Sequence, residues 1–367
     1  MPDLSRIKPL LEKLIAFPTI AGQSNLDLID WAQDLLTAAG FAVTIVPARD
    51  GPKAGLLARF GEGDGGTLFS AHTDVVPVDG QNWTTDPFAL VERAGRYIGR
   101  GTTDMKGFIA CVLALAETLR ETPPAKPVMI GLSWDEELGC RGIPEMIGTV
   151  IPTLGKPDLC IVGEPTLMRP VLGHKGKASY RATFKGTPGH SAMAPYLTNA
   201  LHGAADFILS LKNLQGALAE TGAHDEAFDP PFSTVHAGVA RGGVALNIVP
   251  DHAEVLFEIR HLAGETPDRI LSGLVPQEGA DIICTGQYPG LSGSADDPVV
   301  AGFLATLPDA HPATVAFGTE AGYFAGLGIP TVVCGPGTMD DGHQPDESIA
   351  TDQLDRYYAL IRDWVAR

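Results

Sequence analysis

Thiol chemistry has little material in this chain. Its five cysteines, Cys111, Cys140, Cys160, Cys284 and Cys334, are scattered through 367 residues without a C-x-x-C pair. That excludes a thiolate zinc knuckle and a disulfide framework, and the apolar runs around most of them suggest buried thiols in a reducing compartment. Positive charge is also scarce. Lys and Arg number 26 against 44 Asp and Glu, a formal charge of -18. Such a chain repels phosphate, which argues against nucleic acid and anionic membranes as partners. No apolar stretch approaches the roughly 20 residues of a membrane span. The opening MPDLSRIKPLLEKLIAFPTI lacks a signal-peptide core and cleavage site, so the expected location is the cytoplasm. There is no G-x-S-x-G, no P-loop, no internal repeat and no low-complexity tract. Gly61-x-Gly63-x-x-Gly66 matches a dinucleotide fingerprint by letter, but it leads into a strand and reads as a turn.

What is present is an ordinary globular balance, 44% hydrophobic and 19% charged, with 43 Gly and 29 Pro that imply many loops. The length exceeds what one core usually serves and predicts two domains. Helical spacing covers 4–17, stopped by Pro18, and 25–39, stopped by Gly40. Short apolar runs at 42–46, 56–60, 67–71, 128–133 and 158–162 read as strands, and GFIACVLALAETL at 107–119 as a buried helix. The alternation predicts a layered α/β domain with a mostly parallel sheet. After Gly173 the rhythm changes: 178–185 and 253–259 alternate as half-buried strands, with helical spacing at 199–212 between them. This predicts a small α+β unit inserted in the first domain. Beyond the Gly/Ser/Asp-rich 290–297 the α/β rhythm returns, with strands at 313–317 and 331–334 and a helix at 352–365.

Groups able to bind metals repeatedly follow an apolar strand. TLFSA leads into His72 and Asp74, VMIGLSW into Asp135, Glu136 and Glu137, DLCIVG into Glu164, and TVVCGPG through a short loop into His343. Asp104 arrives from the glycine-rich turn GRGTTD. The carboxyl ends of strands form the ligand crevice of open α/β sheets, so these groups would meet at one rim. Imidazoles and carboxylates without thiolates suit Zn²⁺, Co²⁺ or Mn²⁺. Two such ions sharing a bridging carboxylate activate water, and a carboxylate adjacent to a ligand accepts its proton. Singly, each group has a plainer reading: H-x-D as loop polarity, Glu-Glu as a solvated face, Asp104 as a helix start. The remaining histidines, His174, His202, His224, His236, His252, His261 and His311, receive no metal role.

The stretches SAHTDVVPV (70–78), GRGTTDMKG (99–107), SWDEELGCRG (133–142), GEPT (163–166) and GPGTMDDGHQPDE (335–347) resemble, in order, the M20 metallopeptidase and deacylase family. The resemblance implies a zinc-dependent exopeptidase-like catalytic domain at 1–174 and 289–367, with an α+β lid at 175–288 through which many members form homodimers. It implies that His72 and Glu164 bind one zinc, Glu137 and His343 the other, and Asp104 both. Asp74 would support His72, Glu136 would act as general base and then acid, and the 104–105 peptide would be cis. GTPGHSA (186–192) resembles the segment whose histidine, here His190, stabilises the oxyanion in the partner subunit's site; without the family it would be a turn histidine. Asn247 and Arg260 match the groups that hold the substrate carboxylate, although Arg260 precedes His-Leu-Ala-Gly where deacetylases often have proline.

GHKGKASY (173–180), HSAMAP (190–195), FGTEAGYF (317–324) and CGPGTMDDGHQPDE (334–347) lean toward the branch acting on N-acetylated, ornithine-like amino acids, a step toward arginine. Desuccinylases and aminoacylases usually carry Ser/Thr-Asp where this chain has Thr319-Glu320. The Gly318-Thr319-Glu320 loop would lie near the substrate, with Glu320 either facing a cationic side-chain amine or capping its own loop. The expected reaction is hydrolysis of a small N-acyl amino acid. A desuccinylase or dipeptidase is the enzymatic alternative; a silent metal-binding relative would usually have lost the base or a ligand, and this chain keeps all of them.

Overall fold

Four neighbouring parallel strands, Val128–Ser133, Thr67–His72, Leu159–Pro165 and Thr331–Gly335, are buried along their whole length. Strands covered on both faces need continuous apolar runs instead of alternation, which is how their sequences read. The computed structural model describes residues 4–274 and 279–367. In it the chain forms two compact units: the first runs to Leu172 and resumes over Gly293–Ala313 and Thr319–Arg367, and the second comprises Gly173–Ser292 and Thr314–Gly318.

In the first unit the parallel centre is extended antiparallel on one side by Ala54–Phe60 and then Ala42–Pro47, and on the other by Val171. The turn from Phe60 to Thr67 holds Gly61, Gly63 and Gly66 at positive φ, so the fingerprint-like glycines make a strand-to-strand turn. Helix Lys106–Thr118 is buried from Lys106 to Ala116, the pattern of a helix surrounded by protein. It packs against helices Leu4–Ile15 and Thr351–Val365. Leu4–Ile15 presents Ile7, Leu10, Leu11, Leu14 and Ile15 on one face, each worth about 1.5–3 kcal/mol when fully buried. Helix Leu26–Ala39 closes at Gly40, whose φ of 96° is left-handed. Helix Ile143–Leu154 has no counterpart in the predicted elements, because Pro144, Gly148 and Pro152 interrupt its pattern.

The second unit is a four-stranded antiparallel sheet in the order Thr234–Gly242, His252–His261, Gly176–Lys185, Ala280–Tyr288. Helix Ala200–Thr221 packs on it. The two inner strands alternate buried and half-buried residues. Tyr180 and Phe257, opposite each other in the register, stack with centroids 5.0 Å apart. The sheet has two more strands than the alternation predicts. The additional ones are the edges, mostly exposed, so no buried face imposed a period on them. Cys284 lies on one of these edges and is exposed, which corrects the expectation of a buried thiol; the other four cysteines are buried and all five are free.

Candidate metal centre

The parallel strands deliver their side chains to one edge of the first unit. His72 is the last residue of its strand and is level with Ser133 in the register. The chain then turns through Asp135, which has φ 54°. Its carboxylate accepts from Gly22 N at 2.7 Å and pairs with the Lys53 ammonium, holding the turn that carries Glu136 and Glu137. Glu164 sits near the end of Leu159–Pro165. The preceding Gly163 has no room for a side chain, since a Cβ there would lie 2.1 Å from the Phe108 ring.

Asp104 is central to the cluster. Its Oδ1 is 3.1 Å from His72 Nε2 and its Oδ2 is 3.1 Å from His343 Nε2, so each carboxylate oxygen faces one imidazole. Glu164 Oε1 lies 3.8 Å from His72 Nε2, and Glu137 Oε1 lies 3.1 Å from His343 Nε2. Ligand atoms of His72, Glu136 and Glu164 fall within 4.8 Å of one another, as do those of His72, Asp104 and Glu137. The Asp104–Met105 peptide is cis.

Asp74 lies behind the cluster. Its backbone oxygen is 2.9 Å from His72 Nδ1, while its two carboxylate oxygens accept the amides of Glu136 and Glu137 at 3.1 Å each. It therefore links two ligand segments, a connection that its position two residues after His72 did not reveal. Cys140 is a second group the sequence reading left without a role: its thiol donates to Glu136 Oε1 at 3.3 Å.

Burial and repulsion dominate the electrostatics. Glu136, Glu137 and Glu164 are all raised above the usual carboxylate range, first by desolvation and then by their acidic neighbours. Burial works against the ionised form of Asp104, yet hydrogen bonds from His343 and His72 hold it low. His343 is raised to about 10 by its bonds to Asp104 and Glu137. Burial opposes protonation of His72, but Asp104 and Asp74 raise it nonetheless. Four carboxylates converge on two imidazoles; His72, Asp104 and Glu164 are no more than 3% exposed, whereas His343 is exposed and leaves its side of the cluster open. The donor set contains no thiolate and one carboxylate with an oxygen toward each imidazole. It fits two hard-to-borderline divalent cations.

A family model, "Peptidase family M20/M25/M40", matches residues 68–367. The chain belongs to this family. The acetylornithine deacetylase of Myxococcus xanthus is 35% identical, aligned over 99% of this chain and 97% of its own. That of Aliivibrio salmonicida is 34% identical over 89% and 86%. Among solved structures, an M20 family metallo-carboxypeptidase from Sulfolobus solfataricus superposes with a TM-score of 0.77 at 18% identity, covering 98% of both chains. A dinuclear metal-binding M20 peptidase from Bacillus subtilis gives 0.68 at 16%, covering 99% of this chain and 97% of that one. At these identities the structural likeness establishes the fold. The M20 chain is a hydrolase, and the two-metal chemistry of its family suits the cluster described.

Within the first unit of this M20 hydrolase, Thr319 and Glu320 precede helix Ala321–Gly326. Thr319 Oγ1 accepts Ala321 N at 3.0 Å, while Glu320 makes no capping bond, which removes the loop-capping alternative for Glu320. Glu320 is 1% exposed, and its Oε1 has no hydrogen-bond partner among the described residues. Desolvation raises it to about 7 against the opposing pull of Ser133 and His72.

The second unit holds the other expected residues. Gly189–His190 pairs with Ile248–Val249, and Ser191 N donates to Asn247 O at 3.0 Å, so His190 and Asn247 share one corner. His190 is exposed and its Nδ1 accepts Ala192 N at 3.2 Å. Arg260 donates to Glu258 at 2.6 Å and to Tyr288 Oη at 2.9 Å. Gly318 abuts the same tyrosine, whose ring would lie 2.1 Å from an added Cβ.

Proposed function

We propose that the protein hydrolyses N2-acetyl-L-ornithine to L-ornithine and acetate, a reaction that feeds arginine synthesis. The observation that carries this is the carboxylate–imidazole cluster, with the buried Glu320 nearby keeping one carboxylate oxygen unpartnered, in a chain 35% identical to an acetylornithine deacetylase. His72 and Glu164 would hold one divalent ion, Glu137 and His343 the other, and Asp104 both. When bound, these ions, zinc or its neighbours cobalt and manganese, supply the Lewis acidity that makes water nucleophilic near neutral pH.

Glu136 takes the proton of the attacking water and returns it to the leaving amine. Its raised proton affinity, from burial and the charges of Glu137, Glu320 and Asp74, suits both tasks. The Cys140 thiol holds one of its oxygens, and Asp74 fixes its backbone. His190, exposed in the second unit, would donate to the developing oxyanion in the partner's site of a homodimer. The exposed Tyr196, Val244 and Leu246 near this corner support an interface there. Arg260, oriented by Glu258 and Tyr288, would bind the substrate carboxylate with Asn247. Glu320 would receive the cationic side-chain amine on its Oε1, the oxygen left without a partner, since a buried unpaired acceptor is costly. Five free cysteines support a reducing, cytoplasmic setting.

Rates on N2-acetyl-L-ornithine, N-succinyl-diaminopimelate and a neutral acetyl-amino acid, with and without chelator, test the reading. Acetylornithine should be preferred and chelator should abolish turnover; preference for the succinyl substrate would overturn the assignment. Glu320→Gln should raise KM for acetylornithine well above its effect on the neutral substrate. An equal effect on both would remove Glu320 from amine recognition.

A further inference from the structure

The two halves of the cluster are held by different means. His72 and Glu164 lie on central strands, Thr67–His72 and Leu159–Pro165, fixed by the sheet ladder. Asp104 and His343 lie on loops. The Asp104 turn is gripped by Glu347, whose Oε1 accepts the amides of Thr103 and Asp104 at 3.0 Å each. Its Oε2 accepts Arg100 Nη1 at 2.7 Å, both side chains being 1% exposed. Arg100 Nη2 donates to Gln81 Oε1 at 2.5 Å, and Gln81 Nε2 donates to the carbonyl oxygen of His343 at 3.0 Å. Arg100 Nη1 also reaches Gln344 O at 3.3 Å. Trp83 closes the chain: its Nε1 donates to Gln81 Oε1 at 3.0 Å and its ring lies 5.0 Å from the Arg100 guanidinium. His343 itself has φ 59°, a conformation that a non-glycine residue keeps only when its surroundings impose it.

We infer that Gln81, Arg100 and Glu347 are positioning residues, a strap that fixes the His343 loop against the Asp104 turn and so sets the affinity for the cation held by Asp104, Glu137 and His343. The inference rests on the two-cation reading above. Their side chains bond to one another and to the Asp104 and His343 segments, so their effect would pass through the ligands. The cation on the His72 and Glu164 side shares Asp104 but keeps two ligands fixed by the sheet, so it should respond much less to the strap than the cation that depends on the His343 loop. Groups that orient ligands from behind typically matter 10–100-fold in metal affinity.

The test uses the full chain, stripped of metal and titrated with cobalt(II) by calorimetry and visible absorption. Wild type should take two ions in separable steps. Gln81→Met, which keeps the volume and removes all three side-chain hydrogen bonds, should leave the tighter step within about twofold and weaken the other roughly 10–100-fold. Its metal-free unfolding midpoint should match wild type, which separates positioning from loss of fold. Glu347→Asp, which keeps the charge opposite Arg100 but shortens its reach, should weaken the same step. Two unchanged steps in both variants would overturn the inference, as would equal weakening of both steps. Wild type binding fewer than two ions would instead overturn the two-cation reading, and the strap's role would fall with it.

Discussion

At the scale of single residues, the adjacent acids Glu136 and Glu137 are divided by what their side chains meet. Glu137 lies against His343, while Glu136 is held by the Cys140 thiol. Glu136→Ala should therefore lower kcat by about 10²–10⁴-fold, the usual contribution of a positioned base, with two metal equivalents retained by elemental analysis. Loss of metal would make Glu136 a ligand, an outcome its proximity to His72 and Glu164 keeps open to experiment. The candidates of the cluster were readable in the sequence because each follows an apolar strand or a glycine turn, whereas His190, Asn247, Arg260 and Glu320 stood out only through the family resemblance. Gln81 and Arg100 were not readable as partners of the His343 loop. Their contacts span 244 to 262 residues, and no local pattern encodes a hydrogen bond across that separation. Glu347 falls within the 335–347 motif, but only the folded chain turns it toward the amides of Thr103 and Asp104.

At the scale of elements, the glycine before Glu164 records how tightly helix Lys106–Thr118 is set against the sheet. Gly163→Ala would drive a methyl into Phe108, and overpacking of this kind costs about 1–3 kcal/mol. Denaturant unfolding should show the loss, and Gly163→Ala combined with Phe108→Leu should recover part of it. Full recovery of stability without recovered activity would indicate that Glu164 had been displaced. The inner strands of the second unit were legible because one face is buried and the period is two. Its edge strands were not, and helix Ile143–Leu154 was hidden by its prolines and glycine.

At the scale of the whole molecule, stability should respond to acid through a residue outside the cluster. His174 is fully buried beside His261, and desolvation lowers its pKa to about 4 although a bond to Lys175 O opposes this. An unfolded histidine protonates near 6.5. Between those values the unfolded chain binds the proton and the folded chain does not, so stability falls as pH drops from about 6.5 to about 4. The loss from this residue amounts to at most a few kcal/mol. His174→Gln should flatten that part of the profile relative to wild type when unfolding is measured by denaturant across the range. Parallel profiles for the two proteins would remove His174 as the cause.

The position of Thr331–Gly335 in the sheet has a consequence for the growing chain. Val332 pairs with Ile161 and Val333 with Val171, so a strand synthesised after the second unit enters between two made long before it. The central sheet of the first unit therefore cannot be completed until the whole second unit has been synthesised. Non-local pairing of this kind slows folding. His343 follows that strand, so no nascent chain can assemble the full candidate ligand set before residue 343 has left the ribosome.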